Sequence, residues 1–235
     1  MATFLLPVLR RRGLRWRSPT LLVLTLLLMP SLSGCVILGL MGKALPEKTV
    51  PARYTGLSGQ TVAVMVWADT TGVQIDWPSI HLDAAHGIQS KLIEAQTAGK
   101  PKELENTKFT VDPAAVVEYQ KDHPELVAES IEDVAPRLGV TRLVYLEIHG
   151  FQTRADSAVD LFRGTATGSI KVVEVTNGKA RVAFTDDSLR VQFPKLGPEE
   201  GMPDSTDDAM YRGTLDSLTT QAVLRLIPHP ESAEK

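Results

Sequence analysis

His81 and His86, with Asp76 and Asp83 close by, come nearest in this chain to a set of residues that could hold a divalent metal. The spacing works against it. Five residues along one helix turn through about 500°, which leaves the two imidazoles ~140° apart and unable to face one ion. No His-Glu-x-x-His pair of the zincin type occurs. Both histidines therefore read as solvated polar residues near a helix start. His123 precedes Pro124 and reads as the neighbour of a helix cap, His149 as a half-buried strand residue, and His229 as part of a C-terminal tail. The acid pairs Asp186–Asp187 and Asp207–Asp208 fall where a turn and a helix start are expected, and acids at a helix start complement its dipole. Gly164-Thr-Ala-Thr-Gly168 lacks the lysine of a phosphate loop, so its glycines read as marks of a bulge or bend in a strand. No Gly-x-Ser-x-Gly elbow follows a strand. These residues do not add up to a catalytic set. The expectation is a protein that is not an enzyme and that uses no cofactor and no metal.

Cys35 points instead to chemistry done on the chain. It is the only cysteine in 235 residues, so no internal disulfide can form. Ahead of it stand Arg10, Arg11, Arg12, Arg15 and Arg17, then the apolar run Leu21 to Met29, then Leu32, Ser33 and Gly34. That order is a secretory signal. With the cysteine directly after the small residues, Leu32-Ser33-Gly34-Cys35 resembles the lipobox of bacterial lipoproteins. The resemblance implies cleavage after Gly34, acylation of Cys35, and a domain held to a bacterial envelope membrane by lipid while facing the periplasm. Val36, where an aspartate would favour retention, points to the outer membrane. The alternative is a retained anchor, since no charge lies between Arg17 and Lys43. Pro30, Ser31, Ser33 and Gly34 interrupt that helix. In either case the arginines stay cytoplasmic by the positive-inside rule. Removing those five arginines from the 25 basic residues leaves 20 against 28 acids, a formal charge of −8. An acidic domain has no electrostatic means of gripping phosphate backbones, so a nucleic-acid partner is excluded.

Along the chain, residues 1–34 read as the signal peptide and 35–60 as the lipidated cysteine with a membrane-proximal tether. Residues 61–228 form one α/β (α+β) domain, and 229–235 form a tail. Thr61 to Trp67 is a continuous β-branched apolar run, a strand buried on both faces. After a loop over 69–78, Ile80, Ala84, Ile88, Leu92 and Ala95 recur at helical spacing and Gly99 stops the helix. Lys108 to Val111 is a short strand. Asp112-Pro113 caps a short helix to about Gln120. A further helix from Asp122 to Leu138 carries Val127, Ile131, Val134 and Leu138 on one face, with Pro136 fraying its end and Gly139 closing it. Arg142 to Phe151 is the second strong strand. Asn177-Gly178 joins two strands, Phe162–Thr176 and Lys179–Thr185, as a hairpin, and Ser188–Phe193 extends the meander. The acidic loop from Pro194 to Asp208 precedes a last helix over about 207–227. The sum is a mixed β-sheet flanked by helices, with Val62, Val64, Val66, Leu143, Tyr145, Leu146 and Ile148 in adjacent buried strands.

The layout resembles the periplasmic lipoproteins of the curli-secretion and penicillin-binding-protein-activator group. The carriers are Thr61 to Asp69, Val134 to Phe151, and Ile170 to Gly178. No long amphipathic insertion suited to a secretion pore is present. Auxiliary lipoproteins of envelope lipid-transport ABC systems share the layout. Three functions follow as expectations: a non-catalytic envelope lipoprotein that binds a protein partner in cell-envelope assembly or secretion, an auxiliary lipoprotein that binds lipid or a small hydrophobic ligand, and an exported metal-dependent hydrolase using His81, Asp83, His86 or His149. The first is favoured. The loop with Glu199, Glu200, Asp204, Asp207 and Asp208 reads as a solvated acidic segment, with a docking surface for a basic partner as the alternative. Each buried CH₂ of an acyl chain contributes ~0.8 kcal/mol, so stable anchoring through Cys35 requires more than one chain. Cys35→Ala is expected to keep its leader and to incorporate no labelled palmitate; labelling that persists would refute acylation at this residue.

Overall fold

The computed structural model describes residues 48–68, 71–155, 160–197 and 200–233. In chain order the elements are β1 (Thr49–Val50), β2 (Thr61–Ala68), α1 (Thr71–Asp76), α2 (Ile80–Ala98), β3 (Lys108–Phe109) and α3 (Pro113–Asp122). Then follow α4 (Ile131–Val134), β4 (Arg142–Arg154), β5 (Phe162–Thr176), β6 (Lys179–Phe193), α5 (Asp207–Leu224) and β7 (His229–Pro230). The main sheet has the order β3-β2-β4-β5-β6. β2 is parallel to β3 and β4, and the β4-β5-β6 meander is antiparallel. An α+β architecture with a mixed sheet and flanking helices is therefore what the chain adopts.

Each face of the sheet carries its own apolar layer. On the first face Val62, Val64 and Val66 of β2 and Leu146 and Ile148 of β4 meet Ile88 and Leu92 of α2 and Leu218 and Ala222 of α5. On the second, Ala63, Met65, Leu143 and Val173 meet Val116 of α3, Leu126, Val134 and Ala135. Alternation along a strand sends neighbouring side chains to opposite faces, and an unbroken apolar run is the signature of a strand covered on both. Of the seven residues expected in the buried strands, Tyr145 alone is only half-buried, because its parity turns it to the thinly covered second face.

The Asn177-Gly178 turn has positive φ at both residues, 53° and 75°, as the twist of a two-residue hairpin demands. β6 runs on without the turn expected at Asp186–Asp187. Its register with β5 shifts between Gly168 and Ile170, and again between Val172 and Val173. Extra residues on one strand are absorbed as bulges. Gly168 lies at the first of these, where a Cβ would strike the Glu147 carbonyl. A Cβ at Gly164 would overlap the Thr214 hydroxyl of α5.

Two stretches depart from the sequence reading. Residues 122–138 are no continuous helix but a 3₁₀ turn (Pro124–Ala128), α4, and a second 3₁₀ turn (Ala135–Leu138). Ser130 takes the N-cap of α4 by accepting the Asp133 N–H, and Pro136 allows only a tighter turn after it. Val127 is 68% exposed in consequence. The folded unit also extends beyond residues 61–228. β1 pairs with β7, and Leu57 and Tyr54 are buried in the first-face core. His229, read as part of a tail, is 5% exposed. The Tyr54 hydroxyl donates to Glu174 (3.0 Å) and accepts from Arg142 Nε (2.9 Å). Burial is the main cause that pushes its pKa up to about 12.

Leu146, fully buried in the central strand, tests the layering directly. Leu146→Ala is expected to lower unfolding free energy by about 2–5 kcal/mol in urea denaturation. A loss below ~0.5 kcal/mol, the scale of surface changes, would contradict the placement.

Candidate functional site

β2 is longer than its short partner β3, so its outer edge runs on beyond Val62 without a strand beside it. Helix side chains stand in. Gln120 Nε2 of α3 donates to Val66 O (3.0 Å), Gln74 Nε2 of α1 donates to Ala68 O (2.8 Å), and His81 Nε2 of α2 accepts the Ala68 N–H (3.0 Å). Accepting at Nε2 puts the proton of a neutral imidazole on Nδ1. Burial lowers the His81 pKa from its ordinary 6.5, which keeps the ring in that neutral, accepting form. The ring also stacks on Trp67, with centroids 5.8 Å apart. His81 is thus occupied with backbone repair.

The same place is the topological switch point of the sheet. α2, following β2, covers the first face; α3, following β3, covers the second. A crevice opens between such helices at the strand carboxyl ends, where open α/β sheets commonly bind ligands. Here it measures about 270 Å³ and is walled by Trp67, Trp77, His81, Val117 and Lys121. Of its polar side chains, Gln74, Gln120 and His81 are already engaged with β2, and Lys121 pairs with Glu118.

A larger cleft, about 590 Å³, lies on the second face. α3 and the short pieces between Pro124 and Leu138 cannot span strands of 13 and 15 residues, so part of that face stays open. Its floor is Met65, Trp67, Tyr145, Val182 and the pair Lys171–Glu147 (3.2 Å), with Lys171 Nζ 5.9 Å from the Tyr145 ring centroid. Its wall presents exposed Val127 together with Glu129 and Glu132. Glu129 pairs with Arg137 at 2.5 Å. An apolar, aromatic floor beside carboxylates suits an apolar segment that carries a basic group.

The residues singled out from sequence are dispersed. Leu32, Ser33, Gly34 and Cys35 lie outside the described residues. His86 and His149 are exposed, the latter where β4 shifts register against β5. Asp83 accepts from the Tyr211 hydroxyl (2.6 Å) and from Ser79 (2.7 Å). Among the described residues no three His, Cys, Asp or Glu side chains come together as a metal site. Of the acidic loop, Asp207 is bound by Thr153 and Arg154, and Asp208 pairs with Arg212. Trp77 packs at the start of α2, between Tyr211 and Phe151. Sequence reading missed Gln74, Gln120 and the Tyr145–Glu147–Lys171 floor. The available signal was parity: Tyr145 and Glu147 alternate with buried Val144, Leu146 and Ile148.

No protein-family model and no curated protein matches this chain. Among solved structures, the PelC dodecamer from Paraburkholderia phytofirmans aligns with a TM-score of 0.39 at 13% identity, over 77% of this chain and 95% of that one. Lipoprotein GNA1162 from Neisseria meningitidis aligns at 0.38 and 13% identity, over 65% and 90%. The hypothetical protein CT253 from Chlamydia trachomatis aligns at 0.38 and 14%, over 71% and 98%. These three include neither a curli-secretion nor a penicillin-binding-protein-activator protein. Likeness of that depth assigns no activity or partner to this chain. No helix among the described residues is long and apolar enough to cross a membrane.

A histidine whose folded-state pKa is depressed binds fewer protons folded than unfolded as pH falls below 6.5, so acidification removes stability. Going from about pH 7.5 to 5.5, the wild-type protein is expected to lose more stability than His81→Gln, by at most ~1.4 kcal/mol per pH unit. Identical pH profiles in chemical denaturation would show that His81 does not serve as the acceptor for Ala68.

Proposed function

We propose that this chain is a non-catalytic bacterial envelope lipoprotein that binds another protein. In this reading acyl chains on Cys35 hold it to a membrane, the outer one by the Val36 criterion, and the folded unit from Lys48 onward faces the periplasm. The second-face cleft carries the proposal. It is open, it pairs exposed Val127 with an aromatic floor, and Glu132 borders it without an ion pair among the described residues, whereas Glu129 and Glu147 are already paired with Arg137 and Lys171. Such a surface fits an apolar segment of a partner protein with a lysine or arginine beside it. Centrally placed aromatic residues with a polar surround are the usual anchors of protein interfaces. A lipid chain fits poorly, because covering the Lys171–Glu147 pair with hydrocarbon would strip it of water without a new partner. The engagement of His81 with Ala68 likewise favours binding over catalysis.

A photo-crosslinking residue in place of Val127 is expected to give a discrete protein adduct in intact cells, while one in place of Ile93, on α2, gives none. Glu132→Lys should weaken the Val127 adduct at least tenfold and leave the melting temperature unchanged. Absence of a Val127-specific adduct, or its indifference to Glu132→Lys, would refute the cleft as the partner's seat.

A further inference from the structure

Four cations gather in one depression of an otherwise acidic protein. Arg53, Arg190, Lys195 and Arg225 surround a hollow of about 420 Å³ beside β6 and the end of α5, and no carboxylate is part of its lining. Two of them are fixed from behind. Asp186, 7% exposed, accepts from Arg53 Nη1 (2.7 Å) and Arg225 Nε (2.8 Å), both through Oδ2, while its Oδ1 receives the Ser188 N–H (2.9 Å) and hydroxyl. One carboxylate thus faces two guanidiniums, so the three groups together carry one net positive charge. Arg190 and Lys195 have no carboxylate partner among the described residues and are exposed, so the hollow has a net charge of about +3, set against −8 for residues 35–235.

We infer that this hollow is a binding site for a phosphate group, carried by a free phosphate ester or by the headgroup of an anionic lipid. Guanidinium forks match phosphate oxygens in pairs, and a group bearing up to two negative charges balances an excess of this size better than a single carboxylate. The held arginines matter as much as the charge. Asp186 has already removed much of the side-chain freedom that a mobile surface arginine would lose on binding. Gln192 and Gln221 supply further amide groups at the wall. If Cys35 carries the proposed anchor, Arg53 follows it by 18 residues, an extended reach of at most ~65 Å, which keeps a headgroup of that membrane within range; the phosphate site itself does not rest on the anchor. The site is separate from the second-face cleft, and neither depends on the other.

The test uses the full chain in a neutral detergent and the double variant R190Q/K195Q, which leaves Arg53, Arg225 and Asp186 in place. Wild-type protein at low salt is expected to bind glycerol 3-phosphate saturably by calorimetry. The double variant should bind at least tenfold more weakly with an unchanged melting temperature. Vesicles of phosphatidylglycerol and of phosphatidylcholine separate the sources. Excess binding to the former, lost in R190Q/K195Q, identifies a headgroup; equal binding to both alongside retained glycerol 3-phosphate binding identifies a free ester. No saturable binding of glycerol 3-phosphate or of phosphatidylglycerol, or equal binding by wild type and variant, overturns the inference. None of these results touches Val127 crosslinking, so the two readings fail independently.

Discussion

Asp186 is the tie on which the closed shape of this fold depends. A carboxylate with so little exposure survives in a protein interior only with cations and hydrogen bonds around it, and removing its partners leaves an uncompensated buried charge. Burial by itself would raise its pKa; the Ser188 hydroxyl and N–H, with Arg225, outweigh burial and hold it below the usual carboxylate range. Its cations come from the N-terminal segment and from just past the end of α5, and it sits on the edge strand β6. The backbone reinforces the same junction, because Arg53 and Tyr54 N–H both donate to the Arg225 carbonyl. Three segments far apart in sequence are thereby fixed relative to one another. The stability that Asp186 contributes is full above the ordinary carboxylate range and is lost as pH falls through its depressed folded-state value.

The sheet has two edges, and each is dealt with differently. On the β2 side, Gln120, Gln74 and His81 satisfy backbone groups that a longer β3 would have engaged. On the β6 side, bulges interrupt the ladder, and Arg181 and Asp187 stand exposed along the strand. Charges and bulges are the means by which natural edge strands resist pairing with other chains. Both solutions use polar side chains where a purely apolar sheet would have used another strand. That is why the histidine that looked most like a ligand turns out to be structural.

Periodic features were legible in the sequence and aperiodic ones were not. The β2 run, the α2 spacing, the Asp112-Pro113 cap that accepts the Ala114 N–H, and the Asn177-Gly178 hairpin all appear where their residue types place them. Residues 48–60 were opaque because Pro51, Gly56 and Gly59 do make an irregular backbone. What fixes that stretch is a few side chains, Arg53, Tyr54 and Leu57, which no local pattern marks. Residues 122–138 misled in the opposite direction: Val127, Ile131, Val134 and Leu138 have helical spacing, but Pro124, Ser130 and Pro136 set three separate short turns. The second-face cleft is a place that those shortened pieces fail to cover, so it could be seen only once the lengths of β4, β5 and β6 were known. The basic hollow draws on positions 53, 190, 195 and 225, which only the closure around Asp186 brings together.

The pairing of β1 with β7 has a mechanical consequence. Thr49 lies opposite Pro230 and Val50 opposite His229, and the Glu231 N–H donates to the Lys48 carbonyl. Tension arriving through the chain ahead of Lys48 is therefore met first by this small antiparallel clasp and by the Arg53–Asp186 junction behind it, not by the five-stranded sheet. None of the four paired residues belongs to either apolar layer, so the clasp lies outside both. It makes a release point at the entrance to the domain, where a tug lengthens the connection before it disturbs the fold.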